Sequence, residues 1–105
     1  KVGRHIRPRP HFKLIIARDS GETHYLQGYR RRFNHLTMTS HSGPLTLLEG
    51  EVTAADVELA ARIAARFGQG RDAERVVFDA VVDGLTSGLS VQPLAPENVQ
   101  PEWYL

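Results

Sequence analysis

The architecture of this chain follows from residues 53–68, TAADVELAARIAARFG, which predict its clearest helix. Thr53 is a good N-cap, Asp56 stands three residues later at the capping-box position, and Gly68 is typical just after a helix end. The apolar residues that recur at helical spacing are Val57, Ala60, Ala61, Ile63, Ala64 and Phe67. Because the Ala side chains are small, we predict a helix over 53–67 that packs closely against a sheet.

Short apolar runs on both sides of this helix predict β-strands. They span residues 12–17, 33–40, 45–49, 75–82 and 89–94. Their length and their Val, Ile, Phe and Thr content are typical of strands rather than helices. The turn sequence HSGP at 41–44 joins the second and third runs into an antiparallel hairpin. Pro93 restricts the last run to an edge of the sheet.

Residues 22–32 predict a second helix. Tyr25, Leu26 and Tyr29 form one apolar stripe, so core packing is expected for both tyrosines. Residues 30–32 (RRR) would occupy the last turn, where cations suit the helix dipole. The element order is then β-α-β-β-α-β-β, an α+β fold with two helices on a mainly antiparallel sheet.

The domain organisation is expected to be simple. Residues 1–94 contain every predicted element and form a single domain, whereas residues 95–105 have two prolines and no period and predict a tail. Trp103 and Tyr104 would either clamp that tail on the core or contact another part of the protein. The prolines in residues 1–10 (KVGRHIRPRP) favour extended backbone, either an edge strand or a basic arm.

The composition narrows the function classes. The 105 residues include no Cys, which excludes a disulfide scaffold, a Cys-based zinc site and a Cys nucleophile. No apolar run approaches about 18 residues and no signal segment is present, so we expect a cytoplasmic protein. No phosphate-binding loop or nucleophile motif occurs, and we expect neither catalysis nor a cofactor in this chain. The start at Lys1 rather than Met suggests a piece of a longer protein.

The formal net charge of +1 conceals a strong division of charge. Residues 1–35 contain nine of the 13 Lys and Arg and two acids, a net charge of +7, whereas residues 36–105 carry −6. Such asymmetry indicates partners rather than fold. The basic third is interpreted either as a nucleic-acid surface or as a solvated face that balances the acidic remainder.

All five histidines lie within the first 41 residues. His5 and His11, like His35 and His41, are six residues apart, so each pair would share one face of a strand. No Asp or Glu accompanies them at ligand spacing. We therefore expect surface or phosphate-contacting histidines and no metal site.

Several segments together resemble a known family. Residues 1–5 (KVGRH) and 13–19 (KLIIARD), followed by Glu22 and Leu26, are similar to the C-terminal RNA-binding module of the NFACT-R kind, whose run reads roughly K-V-G-R-H … K-x-I-V-G-R-N-x-x-E-N-x-x-L. The similarity continues through 42–47, 60–65 and 76–77 and so covers about residues 1–82. The sequence departs from the pattern at Ala17, Asp19 and Thr23, which replace a Gly and two Asn.

Modules of this kind are found fused to PP-loop ATPase tRNA thiouridylases similar to 4-thiouridine synthase, often named thiouridylate methyltransferases. The resemblance implies a non-catalytic accessory domain that binds RNA, expected to be tRNA, for a PP-loop catalytic domain elsewhere in the longer chain. Electrostatic capture and shape readout would hold the RNA. The expected RNA-binding residues are Arg4, His5, Arg7, Arg9, Lys13, Arg18, Arg30, Arg31, Arg32 and His35.

Two further interpretations stay open. Phe12, Tyr25, Tyr29 and Phe33 lie among the cations and could stack on bases. Alternatively, the chain is an interdomain or homo-oligomerisation domain, for example of a homodimer, and does not contact nucleic acid directly. In that case the tail with Trp103 and Tyr104 would anchor the partner.

Overall fold

A computed structural model describes residues 1–105 as a six-stranded antiparallel sheet with one helix on each face. The strands are β1 (Arg4–Arg9), β2 (Phe12–Ile16), β3 (Asn34–Met38), β4 (Thr46–Gly50), β5 (Val76–Val82) and β6 (Leu85–Val91). The helices are α1 (Ser20–Gln27) and α2 (Ala54–Ala64), and short 3₁₀ turns span Ala65–Phe67, Pro96–Asn98 and Pro101–Trp103. The strands lie in the order β1-β2-β4-β3-β5-β6, and the predicted α+β class is confirmed.

Helix α2 covers one face of the sheet. Its buried residues join a cluster of 18 buried side chains that includes Phe12, Leu36 and Phe78 from three different strands. The capping box is present with both of its hydrogen bonds, between Thr53 and Asp56. The predicted helix is therefore confirmed, and its last three residues tighten into a 3₁₀ turn.

Helix α1 covers a smaller area on the opposite face. Leu26 packs there in a cluster of five buried residues with Ile15 of β2 and Leu47 of β4. The predicted extension of this helix to residue 32 is wrong, because the helix ends at Gln27. Beyond Leu26 the chain offers no fully buried side chain until β3, so nothing anchors a further helical turn to the sheet.

Two expectations about the strands need correction. Of the two alternatives for residues 1–10, the edge strand is the one that forms: β1 spans Arg4–Arg9 and adds one strand to the front of the predicted order. Strand β6 is the opposite edge, as expected, but it spans Leu85–Val91 rather than residues 89–94. The reason is a two-residue turn at Asp83 and Gly84, where both φ angles are positive (52° and 80°), which suits a tight hairpin.

The C-terminal residues contact their own chain. Tyr104 forms an isolated antiparallel bridge with Ile6 of β1, and the Leu105 N–H donates to the His5 carbonyl at 2.9 Å. Trp103 packs against the large core cluster. The segment therefore pairs with the free edge of β1 at His5 and Ile6.

Neither helix has the length and apolar character that a membrane crossing requires.

We predict that Gly50→Ala destabilises the fold while Gly88→Ala does not. Gly50 has a φ of +112°, and an added Cβ would collide with the carbonyl oxygen of His11. We expect the free energy of unfolding to fall by about 2 kcal/mol or more. An added Cβ at Gly88 meets nothing within 4 Å, and Ala should raise stability there by about 0.5 kcal/mol. Urea unfolding midpoints provide the measurement, and equal midpoints for the two variants would contradict the prediction.

Candidate nucleic-acid interface

Three adjacent arginines form an exposed turn between α1 and β3. Arg30, Arg31 and Arg32 are all exposed, and none of their side chains forms an ion pair or a hydrogen bond with another residue. The turn is closed by backbone hydrogen bonds, including one from the Arg32 N–H to the Tyr29 carbonyl at 2.9 Å. The backbone of the three arginines is thus fixed by hydrogen bonds, whereas their guanidinium groups have no partner in the protein.

The crossover connection explains why these arginines project. Strands β2 and β3 both run antiparallel to β4, so α1 must carry the chain back along the sheet before β3 begins. Tyr29 and Phe33, on either side of the arginines, pack against the small core cluster. Because both flanking side chains face inward, the three charged residues between them are left in solvent.

The arginine turn lines a cleft of about 570 Å³. The other residues that line this cleft are Phe33, Asn34, His35, Val81, Asp83 and Gly84. Asn34 Oδ1 accepts a hydrogen bond from the Asp83 N–H at 2.9 Å and so ties the β5–β6 turn to the start of β3. His35 Nδ1 donates to the Phe33 carbonyl at 3.1 Å, which leaves Nε2 without a partner. Donors from the turn and a free imidazole nitrogen therefore border one cavity.

An aromatic pair lies on α1 just before the arginine turn. The Tyr25 and Tyr29 rings are 5.5 Å apart at 47°, and their hydroxyl oxygens are 3.2 Å apart. The hydrogen bond with Tyr29 raises the pKa of Tyr25. Tyr25 is 53% exposed, so the predicted core packing is wrong for this residue, and Tyr29 is half-buried.

The other two candidate stacking residues are less accessible. Phe12 is fully buried in the large core and Phe33 is half-buried. Of the four aromatic residues among the cations, Tyr25 alone is more than half exposed.

Arg9 has a carboxylate partner in α2. Its guanidinium pairs with Asp56 at 2.5 Å, and His11 Nε2 lies 2.7 Å from the other oxygen of that carboxylate. Asp56 is only 1% exposed and also accepts the Thr53 backbone N–H. This N–H, then the His11 and Arg9 side chains, hold the pKa of the Asp56 carboxyl well below its ordinary value of 3.8. The network fastens the β1–β2 turn to the start of α2.

The cations of β2 and its C-terminal end also have partners. Arg18 donates to the Glu22 carboxylate at 3.4 Å and to the Lys1 carbonyl at 3.2 Å. Lys13, whose side chain is 17% exposed, lies 3.9 Å from Glu49.

The remaining predicted residues lie along β1. The Arg4 guanidinium lies 5.1 Å from the centre of the Phe67 ring, and Arg7 donates to the Pro10 carbonyl at 3.1 Å. Burial lowers the pKa of His5, whose Nε2 donates to the Val2 carbonyl at 3.0 Å. The structure thus brings Arg30, Arg31, Arg32 and His35 together at one cleft and distributes the other six predicted residues over β1, β2 and their ends.

A second cationic group lies in the half of the chain with negative net charge. Arg62, Arg66 and Arg71 line a cleft of about 260 Å³ beside residues 92–95. Each donates to a backbone carbonyl, that of Gln92, Arg71 and Gly68 respectively. Arg62 and Arg66 are four residues apart, a spacing that places both on one face of a helix and is visible in the sequence. The negative net charge of residues 36–105 conceals this cationic group.

Comparison with known proteins gives one family and one fold. A family model described as the NFACT protein RNA binding domain matches residues 3–104. The C-terminal part of the fibronectin/fibrinogen-binding protein from Streptococcus suis superposes with a TM-score of 0.78 at 14% identity. This superposition covers 100% of the present chain and 49% of the other, and at that identity it establishes the fold alone. No curated protein matches the sequence.

We predict that Asp56 makes the free energy of unfolding depend on pH in the acidic range. Its pKa is lower in the folded chain than its ordinary value, so its contribution is complete above pH 3.8 and is lost progressively as the pH falls below that value. Asp56→Asn should lower the urea midpoint at about pH 5, and its difference from the wild type should shrink at about pH 3.

Glu58→Gln, on the exposed side of the same helix, is the matched control and should leave the midpoint nearly unchanged at both pH values. A difference between Asp56→Asn and the wild type that stays constant with pH would show that the charge of Asp56 is not what stabilises the contact.

Proposed function

The chain belongs to the family of NFACT protein RNA binding domains, and we propose that it binds RNA through Arg30, Arg31 and Arg32 and the cleft that they line. The observation that carries this proposal is three exposed, adjacent guanidinium groups with no partner in the protein. Guanidinium groups bind phosphate oxygens in pairs of parallel hydrogen bonds. Since no ion pair must be broken first, these three residues contribute the largest share of phosphate contact.

The other predicted contacts extend this surface to different degrees. Arg4 and Arg7 have no carboxylate partner and can turn towards phosphate at little cost. Arg9, Lys13 and Arg18 already face carboxylates, so an RNA phosphate would only replace one anion with another. Contact through these three contributes less to the free energy of binding.

The partially buried histidines are secondary contacts in this proposal. His35 offers Nε2 at the edge of the arginine cleft. His5 is half-buried and already donates to a carbonyl, so its share is small.

The RNA is proposed to be a folded one, in particular tRNA, and the domain to be the non-catalytic RNA-holding part of a cytoplasmic tRNA-modifying protein. The similarity of residues 1–82 to modules fused to PP-loop tRNA thiouridylases supports this assignment. In such an arrangement the catalytic domain lies elsewhere in the longer chain, and this domain contributes affinity and orientation.

We predict that replacing Arg30, Arg31 and Arg32 with Ala weakens RNA binding and makes it less sensitive to salt. Each phosphate contact releases counterions, with a slope of about 0.7 per contact on single strands, so loss of all three lowers the slope of log K against log salt by about 2. Fluorescence anisotropy of an unmodified tRNA transcript over a series of KCl concentrations measures both quantities.

The matched control removes the same charge at the second cationic group, with Arg62, Arg66 and Arg71 replaced by Ala. This variant should keep a slope close to that of the wild type. An equal decrease of the salt slope in the two variants would mean that net charge alone governs RNA binding. That result would overturn the assignment of the RNA contact to the arginine turn. A protein that binds no tRNA but forms a dimer in light scattering would support the oligomerisation interpretation instead.

A further inference from the structure

Tyr25 is the single exposed aromatic side chain outside the C-terminal segment. The exposed large apolar side chains are Tyr25, Val77, Leu85, Tyr104 and Leu105. We propose that the Tyr25 ring stacks on an unpaired base of the bound RNA, so that the domain prefers RNA with unpaired nucleotides to a continuous duplex. This inference rests on the proposed RNA-binding function and names the kind of RNA structure that the surface accepts.

The Tyr25 ring is held in place rather than free to rotate. Its hydroxyl lies 3.2 Å from that of Tyr29, and the ring centres are 5.5 Å apart. Tyr29 in turn packs against the small core cluster that contains Leu26. A ring fixed in this way loses little conformational entropy when a base stacks on it.

The electrostatic surroundings favour approach of a nucleic-acid strand. Residues 23–48 contain no Asp or Glu, and this segment includes Tyr25, the whole arginine turn and His35. The nearest acid before it is Glu22, which is occupied by Arg18. A strand whose base lies on Tyr25 can therefore place its following phosphates on Arg30–Arg32 without facing a free carboxylate along α1. The acid that lines the arginine cleft itself is Asp83, against three arginines.

The preference for unpaired RNA follows from the geometry of stacking. In a continuous duplex both faces of every base are covered by neighbouring bases, and side chains reach little more than the backbone and the shallow groove. Bases in loops and at strand ends can turn outward and stack on an aromatic ring. Arginines alone would not distinguish the two forms of RNA, whereas an exposed, fixed tyrosine beside them does.

The test compares two RNAs of equal phosphate number, a stem-loop with an unpaired loop and a fully paired duplex. We expect the wild type to prefer the stem-loop. Tyr25→Ala should weaken stem-loop binding by about tenfold and leave duplex binding unchanged. Tyr25→Phe should keep most of the wild-type affinity, since the stacking ring is retained and only the hydroxyl contact with Tyr29 is lost. Tyr104→Ala, at an exposed tyrosine of the C-terminal segment, is the matched control and should have no effect.

A 2-aminopurine in the loop gives a second, direct measurement. Its fluorescence should be quenched when the wild type binds and should stay bright with Tyr25→Ala. If the Ala variant shows a lower urea midpoint, Tyr25→Leu replaces it, because Leu keeps the apolar bulk without the aromatic face.

The outcomes separate the inference from the proposed function. Equal wild-type affinity for the two RNAs, together with unchanged binding by Tyr25→Ala or Tyr25→Leu, overturns the inference and leaves the arginine turn in place as the RNA contact. Absence of binding to either RNA overturns the proposed function itself.

Discussion

The close packing of α2 on the sheet is the contact on which the other features depend. Ala60, Ala61 and Ala64 are fully buried, so the helix backbone lies near the strands. This proximity brings Asp56, at the start of the helix, to the β1–β2 turn, and brings Phe67, at its end, beneath the Arg4 guanidinium. The helix thus holds edge strand β1 at both ends, which short-range propensity alone would not achieve.

The two faces of the sheet are unequally covered, and the arginine turn follows the helix of the less covered face. One face carries the cluster of 18 buried residues under α2, whereas α1 covers a cluster of five on the other. Because Leu26 is the buried residue of α1, the chain leaves the helix soon after it and presents the arginines to solvent. A rigid scaffold with a less constrained connecting segment is a common way to position binding residues.

The features that could be predicted are those in which several local signals agree. For α2, the helical spacing of the apolar residues, the capping box and the Ala content all indicate a helix, and the capping residues indicate its ends. The end of α1 depends on burial against β2 and β4, which a local pattern does not contain. The pattern therefore predicts a helix through residues 30–32, although α1 ends at Gln27. The pairings of Arg9 with Asp56 and of Tyr25 with Tyr29 likewise need the folded chain. Counting charges predicts that the N-terminal third has a positive net charge, but it does not show which of its cations lack a carboxylate partner.

That distinction between free and paired cations sets the strength of the proposed interaction. Counterion release scales with the number of phosphates that a protein neutralises, and a guanidinium that must leave a carboxylate contributes little net free energy. Of nine cations in residues 1–35, the arginine turn supplies three without such a partner at one site. A surface of about three phosphate contacts binds RNA weakly at physiological salt. A contact surface of this size gains affinity when a second RNA-binding surface in the same molecule raises its effective concentration to about the millimolar range.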